Sequence, residues 1–239
     1  MAETSKAPRS LTVMSALAVK LALERSIVPA LEADSGLRLD IAWQPTSVLM
    51  KRIAGGERAD VIIAIDESMD ALEREGIIEA RTRVKVARAL LGVAVRRGEA
   101  HPDISTVAAF RKSLLAAKGV AYSISGASGI YFSQLLSKLE IARSIAAVTI
   151  PAGFTAEKLI SGEADLAIQQ ISELITVAGV EIVGPFPDEV QSATNLSAAA
   201  FKGAANPDGA RALLNALVSS EAHRAYEAAG LVSRLTERS

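Results

Sequence analysis

Between Leu11 and Ala229, short apolar runs alternate with longer segments of helical periodicity, and this alternation restricts the chain to α/β architectures. Leu11–Ser15, Leu37–Trp43, Val61–Ile65, Leu90–Val95, Gly119–Ser123, Ala147–Ile150, Leu166–Gln169, Glu181–Gly184 and Gln191–Phe201 read as strands. Val61–Ile65 has no polar break, as expected of a parallel strand covered on both faces. Ala18–Leu31, Ser47–Ala54, Ser68–Arg74, Gly129–Leu139, Thr155–Ile160, Pro207–Ser219 and Glu221–Ala229 read as helices, with one more capped by Ser105 or Thr106 and running to Ala117. Gly55-Gly56 and Gly76 are stop signals, and Asn206 before Pro207 is a start signal. The expectation is a mostly parallel sheet flanked by helices, repeated in two lobes.

At 239 residues the chain can build two modest cores. An internal echo points the same way: Ile53–Ile63 reads IAGGERADVII and Ile160–Ile168 reads ISGEADLAI. Duplication explains it. So does a simpler rule, in which glycine stops a helix and a charged pair marks the surface before a buried strand. The two explanations weigh about equally.

Composition removes several function classes. Lys plus Arg is 26 and Asp plus Glu is 27, a net charge of −1, which supplies no field for nucleic acid or a membrane surface. With no cysteine there is no disulfide, thiolate metal site or cysteine nucleophile. The two histidines, His101 and His223, are far apart in sequence, so neither a metal nor a cofactor is expected. No run of 18 apolar residues exists to insert in a membrane. Met1–Ser10 is polar and does not read as a secretory leader. The compartment stays open: periplasmic if a leader has been removed, cytoplasmic if this N-terminus is native.

Chemistry is expected beyond the carboxyl ends of the strands, where open α/β sheets bind ligands. Those segments are rich in small and hydroxyl residues: Ser15-Ala16-Leu17-Ala18, Gln44-Pro45-Thr46-Ser47, Ser125-Gly126-Ala127-Ser128-Gly129, Pro151-Ala152-Gly153 and Gln169-Gln170-Ile171-Ser172. A helix N-terminus beside small residues offers unpaired N–H groups and a positive dipole end to an anion. Thr46 and Ser47 alone read more readily as helix caps. Two glycines and two serines within Ser125–Gly129 exceed what one cap needs, which favours ligand contact. Gln169 and Gln170 could equally satisfy loop backbone or grip a ligand.

Four segments carry a family resemblance: LTVMSALAVK at Leu11–Lys20, TSVLMKRIAGGERADVIIAI at Thr46–Ile65, AYSISGASGIY at Ala121–Tyr131 and SGEADLAIQQIS at Ser161–Ser172. Over nearly its whole length the chain resembles the molybdate-binding-protein-like branch of type II periplasmic solute-binding proteins. The resemblance implies two α/β lobes joined by two hinge crossovers: a flexible stretch at 1–10, a first lobe from 11–87 plus 190–239, and a second from 88–189. An anion would sit in the cleft between them. It also implies a first-lobe hydroxyl at Thr46 or Ser47 and amide donors near Ser128 and Gly153. The family serine falls on Ala18, unless Ser15 substitutes, and the family tyrosine on Gln170. Both departures disfavour molybdate and favour a planar carboxylate.

The leading expectation is therefore binding of a small anion, an organic polycarboxylate, as the substrate-binding component of an ABC transporter. Candidate ligand residues are Ser15, Ala16, Thr46, Ser47, Ser125, Ala127, Ser128, Gly129, Tyr131, Gly153, Gln169 and Gln170. Some relatives of this branch resemble aconitate isomerases, which shift a double bond in a tricarboxylate. That chemistry needs a base, for which Lys20, Tyr131 and Glu157 are weak candidates. A third alternative is a stand-alone sensory domain, since effector domains of LysR-type regulators share the fold class; no helix-turn-helix precedes Leu11.

Overall fold

The computed structural model describes residues 10–151 and 153–235. The flexible stretch expected at the N-terminus lies outside them, except for Ser10, which opens the first strand. The chain forms two compact units: one runs to Arg88 and resumes at Thr194, and the other is Ala89–Ala193.

The first unit begins with β1 (Ser10–Ala16) and one continuous helical stretch made of a 3-10 turn, α1 (Lys20–Ala22), a π turn and α2 (Val28–Ser35). The π turn at Leu23–Ile27 has a local cause. Pro29 cannot donate to the carbonyl four residues back, so the helix widens ahead of it instead of breaking. Then come β2 (Arg38–Gln44), α3 (Thr46–Ala54), β3 (Val61–Ile65), α4 (Asp66–Arg74) and β4 (Val84–Ala89). The second unit contains β5 (Leu91–Arg96), α5 (Val107–Ala116), β6 (Val120–Ser123), α6 (Ala127–Lys138), β7 (Ala147–Ile150), α7 (Glu157–Ile160), β8 (Leu166–Gln170), α8 (Ile171–Leu174) and β9 (Val180–Pro185). The chain returns to the first unit with β10 (Thr194–Ala200), α9 (Pro207–Leu217), α10 (Ser220–Ala228) and β11 (Leu231–Ser233). Three elements escape sequence reading: β4, whose apolar pattern is interrupted by Lys85 and Arg88, and the short α8 and β11.

Both sheets are mixed. The first has the order β11-β4-β10-β3-β1-β2 and the second β7-β6-β8-β5-β9. β1 lies parallel to β2 and β3, with β10 antiparallel to β3; β6 lies parallel to β7 and β8, with β5 antiparallel to β8. Thus β2-β1-β3-β10 and β7-β6-β8-β5 share one spatial order and one set of strand directions. Each unit has its own apolar core, around Leu49, Ile53, Ile62, Met69 and Phe201 in the first and Phe110, Phe132, Leu135 and Phe186 in the second.

The sequence echo is realised as a repeated hydrogen-bond device. Asp60 accepts from Thr12 N and Oγ1, both at 2.8 Å, and donates its own N–H to the Thr12 carbonyl at 3.0 Å. Asp165 accepts from Lys118 N at 3.0 Å and Gly119 N at 2.9 Å, and donates its N–H to the Gly119 carbonyl at 3.0 Å. Each aspartate therefore pins the start of the neighbouring parallel strand. The glutamate before it pairs with a basic residue at the end of the preceding helix, Glu57 with Arg52 and Glu163 with Lys158. Shared topology and shared partners favour duplication over coincidence.

Candidate functional site

In each unit the chain leaves the first strand of the motif towards one side of the sheet and the third strand towards the other. Ligands favour the crevice that such a switch in direction opens at the carboxyl ends of the strands. In the second unit the switch lies between β6 and β8, so it is bordered by the Ile124–Ser128 segment and by Gln169–Glu173.

Three strand-end loops meet there. The buried Ser123 hydroxyl accepts from Ser125 N at 3.3 Å and Gly126 N at 3.0 Å, bending the chain into α6. The Ser125 hydroxyl donates to the Pro151 carbonyl in the loop after β7. Ala127, Ser128 and Gly129 open α6 ahead of its first backbone bond, from Ile130 N to Gly126 O, so their N–H groups have no intrahelical partner. Gly129 has a packing job besides: a Cβ there would stand 1.6 Å from the Ser123 carbonyl oxygen.

Gln169 is the rivet of this cluster. Its Oε1 accepts from Thr155 N at 2.9 Å and Thr155 Oγ1 at 3.1 Å, while Nε2 donates to the Gly153 carbonyl at 3.3 Å. A further hydrogen bond joins its side chain to the Glu173 carboxyl. Of the two readings open in the sequence, these contacts favour Gln169 as a tie between loops. Gly153 takes a left-handed φ of 94° at the turn. Gln170 is half-buried and precedes the first turn of α8.

Sequence reasoning reaches Ser172 only as the end of a strand-end segment and overlooks Glu173. Ser172 Oγ is buried and has no hydrogen-bond partner among the described residues, a state that costs about 1–3 kcal/mol unless something else supplies one. Glu173 is half-buried; its carboxyl is hydrogen-bonded by the Gln169 side chain and the Gln170 backbone N–H. Burial wins over those bonds and lifts its pKa from 4.5 to about 7. The one available signal was a Glu three places past an apolar strand ending in glutamines.

The raised pKa has a stability consequence. From pH 4.5 to 7 the folded state holds a proton that the unfolded chain has released, so stability is full below 4.5 and falls as pH rises through 7. Allowing for partial exposure, the loss is about 1–2 kcal/mol. Urea unfolding should therefore find Glu173→Gln more stable than the parent at pH 8, with the two converging near pH 4.5. Parallel pH curves would show that the carboxyl is ordinary.

In the first unit the corresponding strand ends carry Ser15, Ala16 and Thr46-Ser47. Ser15 is buried, its hydroxyl donating to the Ala16 carbonyl at 3.2 Å. Ala16 and Ala18 are buried beside it. Thr46 and Ser47 are the first two residues of α3, and Pro45 precedes them without a side-chain cap. Their hydroxyls therefore do not do the capping work that sequence favours.

Two of the three expected bases are engaged elsewhere. Lys20 pairs with Glu24 and lies 5.0 Å from the centre of the Trp43 ring. Tyr131 donates to the Val190 carbonyl at 2.9 Å. Glu157 is exposed at the start of α7. Among the described residues no cluster of His, Asp and Glu could hold a metal, and no helix is long and apolar enough to cross a membrane.

A sequence profile described as bacterial extracellular solute-binding protein matches residues 11–232. An aconitate isomerase from Pseudomonas sp. is 37% identical over 230 residues, covering 93% of this chain and 87% of that protein. The periplasmic molybdate-binding protein of Azotobacter vinelandii superposes with a TM-score of 0.73 at 21% identity, covering 93% of this chain and 98% of the other. A substrate-binding domain assigned to a molybdenum ABC transporter of Clostridium difficile gives 0.73 at 19% identity, with the same coverage. At such identities the structural likeness speaks for fold.

Proposed function

We propose that this chain, which belongs to the bacterial extracellular solute-binding protein family, holds a small polycarboxylate on its strand-end amide donors and moves a double bond within it, as an aconitate isomerase does. The observation that carries the reading is the loop cluster at the ends of β6, β7 and β8. It offers unpaired N–H groups at the start of α6 beside a titratable carboxyl. Donors of this kind favour carboxylate charge, and more so the enolate-like charge that grows when a neighbouring carbon loses a proton. We further assign the Thr46 and Ser47 hydroxyls, with Ser15 and Ala16, as the anion-contacting groups of the first unit.

Ala18 and Gln170, where the molybdate-binding pattern has a serine and a tyrosine, argue for a planar carboxylate over a tetrahedral oxyanion. Incubation with cis- or trans-aconitate, followed by proton NMR, should show either isomer converting to the same mixture. In a thermal-shift series, aconitate and citrate should raise the midpoint and molybdate should not, because a ligand selective for the folded state stabilises it by mass action. A shift by aconitate without conversion would favour the second reading: a substrate-binding protein that delivers its cargo to an ABC transporter, as family membership suggests. Stabilisation by molybdate alone would remove the isomerase reading and the carboxylate as cargo in the second.

A further inference from the structure

We propose that Glu173 is the proton-transferring residue of this site, taking a proton from the carbon next to one carboxylate of the substrate and returning it at the far end of the allyl system. This rests on the isomerase reading above. The geometry is that of the β6/β8 switch point. β6 and β8 are parallel neighbours, so their carboxyl ends lie at one edge of the sheet. Glu173 follows β8 by three residues, and the α6 amides follow β6 by four to six. Gln169 ties the Glu173 carboxyl to the Gly153–Thr155 loop, and Ser125 ties the α6 entry to Pro151 of that same loop. The carboxyl and the amide donors thus belong to one connected network.

A purely structural account exists and falls short. Glu173 is the third residue of α8 and bonds back to the N–H of Gln170, half of a capping box. The other half is missing, since Gln170 makes no side-chain cap. A carboxylate serving only as a cap gains from being solvated and ionised, whereas here burial holds the pKa near 7. Near neutral pH that value lets one group act as base and then as acid. Among the described residues no like charge accounts for it. The elements packed on α8 are β5, β8 and β9. Their charged residues are Arg96 and Glu181, which sit at the opposite ends of β5 and β9 from Gly92, the residue that meets Ile171 of α8.

The step balances without a co-reactant. The Glu173 carboxylate removes a proton from the CH2 between a carboxylate-bearing alkene carbon and a terminal carboxylate. The C–H electron pair spreads over the three-carbon allyl system, and the new carboxylic acid returns its proton to the other terminal carbon. The double bond has moved one position and the enzyme is unchanged. Positioned proton transfer contributes about 100- to 10,000-fold.

The test compares wild type, Glu173→Gln and Glu173→Asp on cis- and trans-aconitate. Wild-type kcat/KM should rise with pH through about 7 and then level. Glu173→Gln should lose at least about 100-fold in kcat with KM within about threefold, and its residual rate should lack that pH limb. Glu173→Asp should keep a measurable rate with the limb displaced. In deuterium oxide, wild type should carry part of the substrate's own proton to the far carbon and exchange the rest for solvent deuterium, and Glu173→Gln should do neither. Folding is followed by thermal melting. If Glu173→Gln fails to fold, an unmoved limb in Glu173→Asp overturns the proposal. So does a folded Glu173→Gln that keeps its rate and pH profile while wild type converts aconitate. A wild type that converts neither isomer removes the isomerase reading and this assignment together.

Discussion

Gly129→Ala should destabilise the protein by about 3 kcal/mol or more in urea unfolding, the cost of overpacking against backbone. The added Cβ would fall 1.6 Å from the Ser123 carbonyl oxygen and 2.5 Å from its carbon. Both atoms are backbone at the end of β6, and no rotamer relieves the overlap, so α6 must move off the sheet. Alanine's better helix propensity returns only about 1 kcal/mol. Displacing the first turn also moves the Ala127 and Ser128 amides, so on the proposed isomerase reading aconitate affinity should fall together with stability. Gly126→Ala is the control: its Cβ would meet the Ser123 hydroxyl at 3.3 Å, a contact a small shift relieves, and about 1 kcal/mol or less is expected. Equal stabilities for the two variants would mean that α6 does not pack on β6 as described.

Asp60→Ala should cost about 3–5 kcal/mol, or roughly 10 °C in melting temperature for a chain of this size. Asp60 is buried, and its carboxylate accepts three hydrogen bonds at 2.8 Å, from Thr12 N, Thr12 Oγ1 and Asn206 N. Asn206 in turn caps α9 through Gly209 N at 2.9 Å and donates to the Ser10 carbonyl at 3.1 Å. Removing the carboxylate therefore leaves donors unsatisfied at the start of β1 and at the return of the C-terminal helices. Asp165→Ala should cost less. Its two bonds serve Lys118 and Gly119 at the start of a four-residue strand, and one of them is exposed. A cost for Asp165→Ala equal to or above that for Asp60→Ala would contradict this ordering.

These two sites show where reading the chain works and where it stops. The Gly-Glu, Ala-Asp echo is visible as a string, but its cause is that each aspartate faces the start of a parallel neighbour, and strand order is not written in the string. Gly129 reads as a ligand contact because small residues crowd Ser125–Gly129; packing against Ser123 gives it a second reason. Thr46 and Ser47 read as caps because hydroxyls at helix starts usually are, yet Pro45 takes the position where a cap would stand. Tyr131 reads as a candidate base, but its hydroxyl is spent on Val190, 59 residues away.

By itself the sequence determined the α/β class, nearly all strands and helices, the strand-end loops and the resemblance that family membership bears out. All of these rest on short-range signals: apolar period, glycine stops and helix starts. The tertiary structure decided that both sheets are mixed, that Gln169 is tied to the Gly153–Thr155 loop, and that Glu173 is a carboxyl with a pKa near 7. Partners and desolvation come from residues that meet only when strands of distant sequence lie side by side, and no local pattern encodes which strands those are.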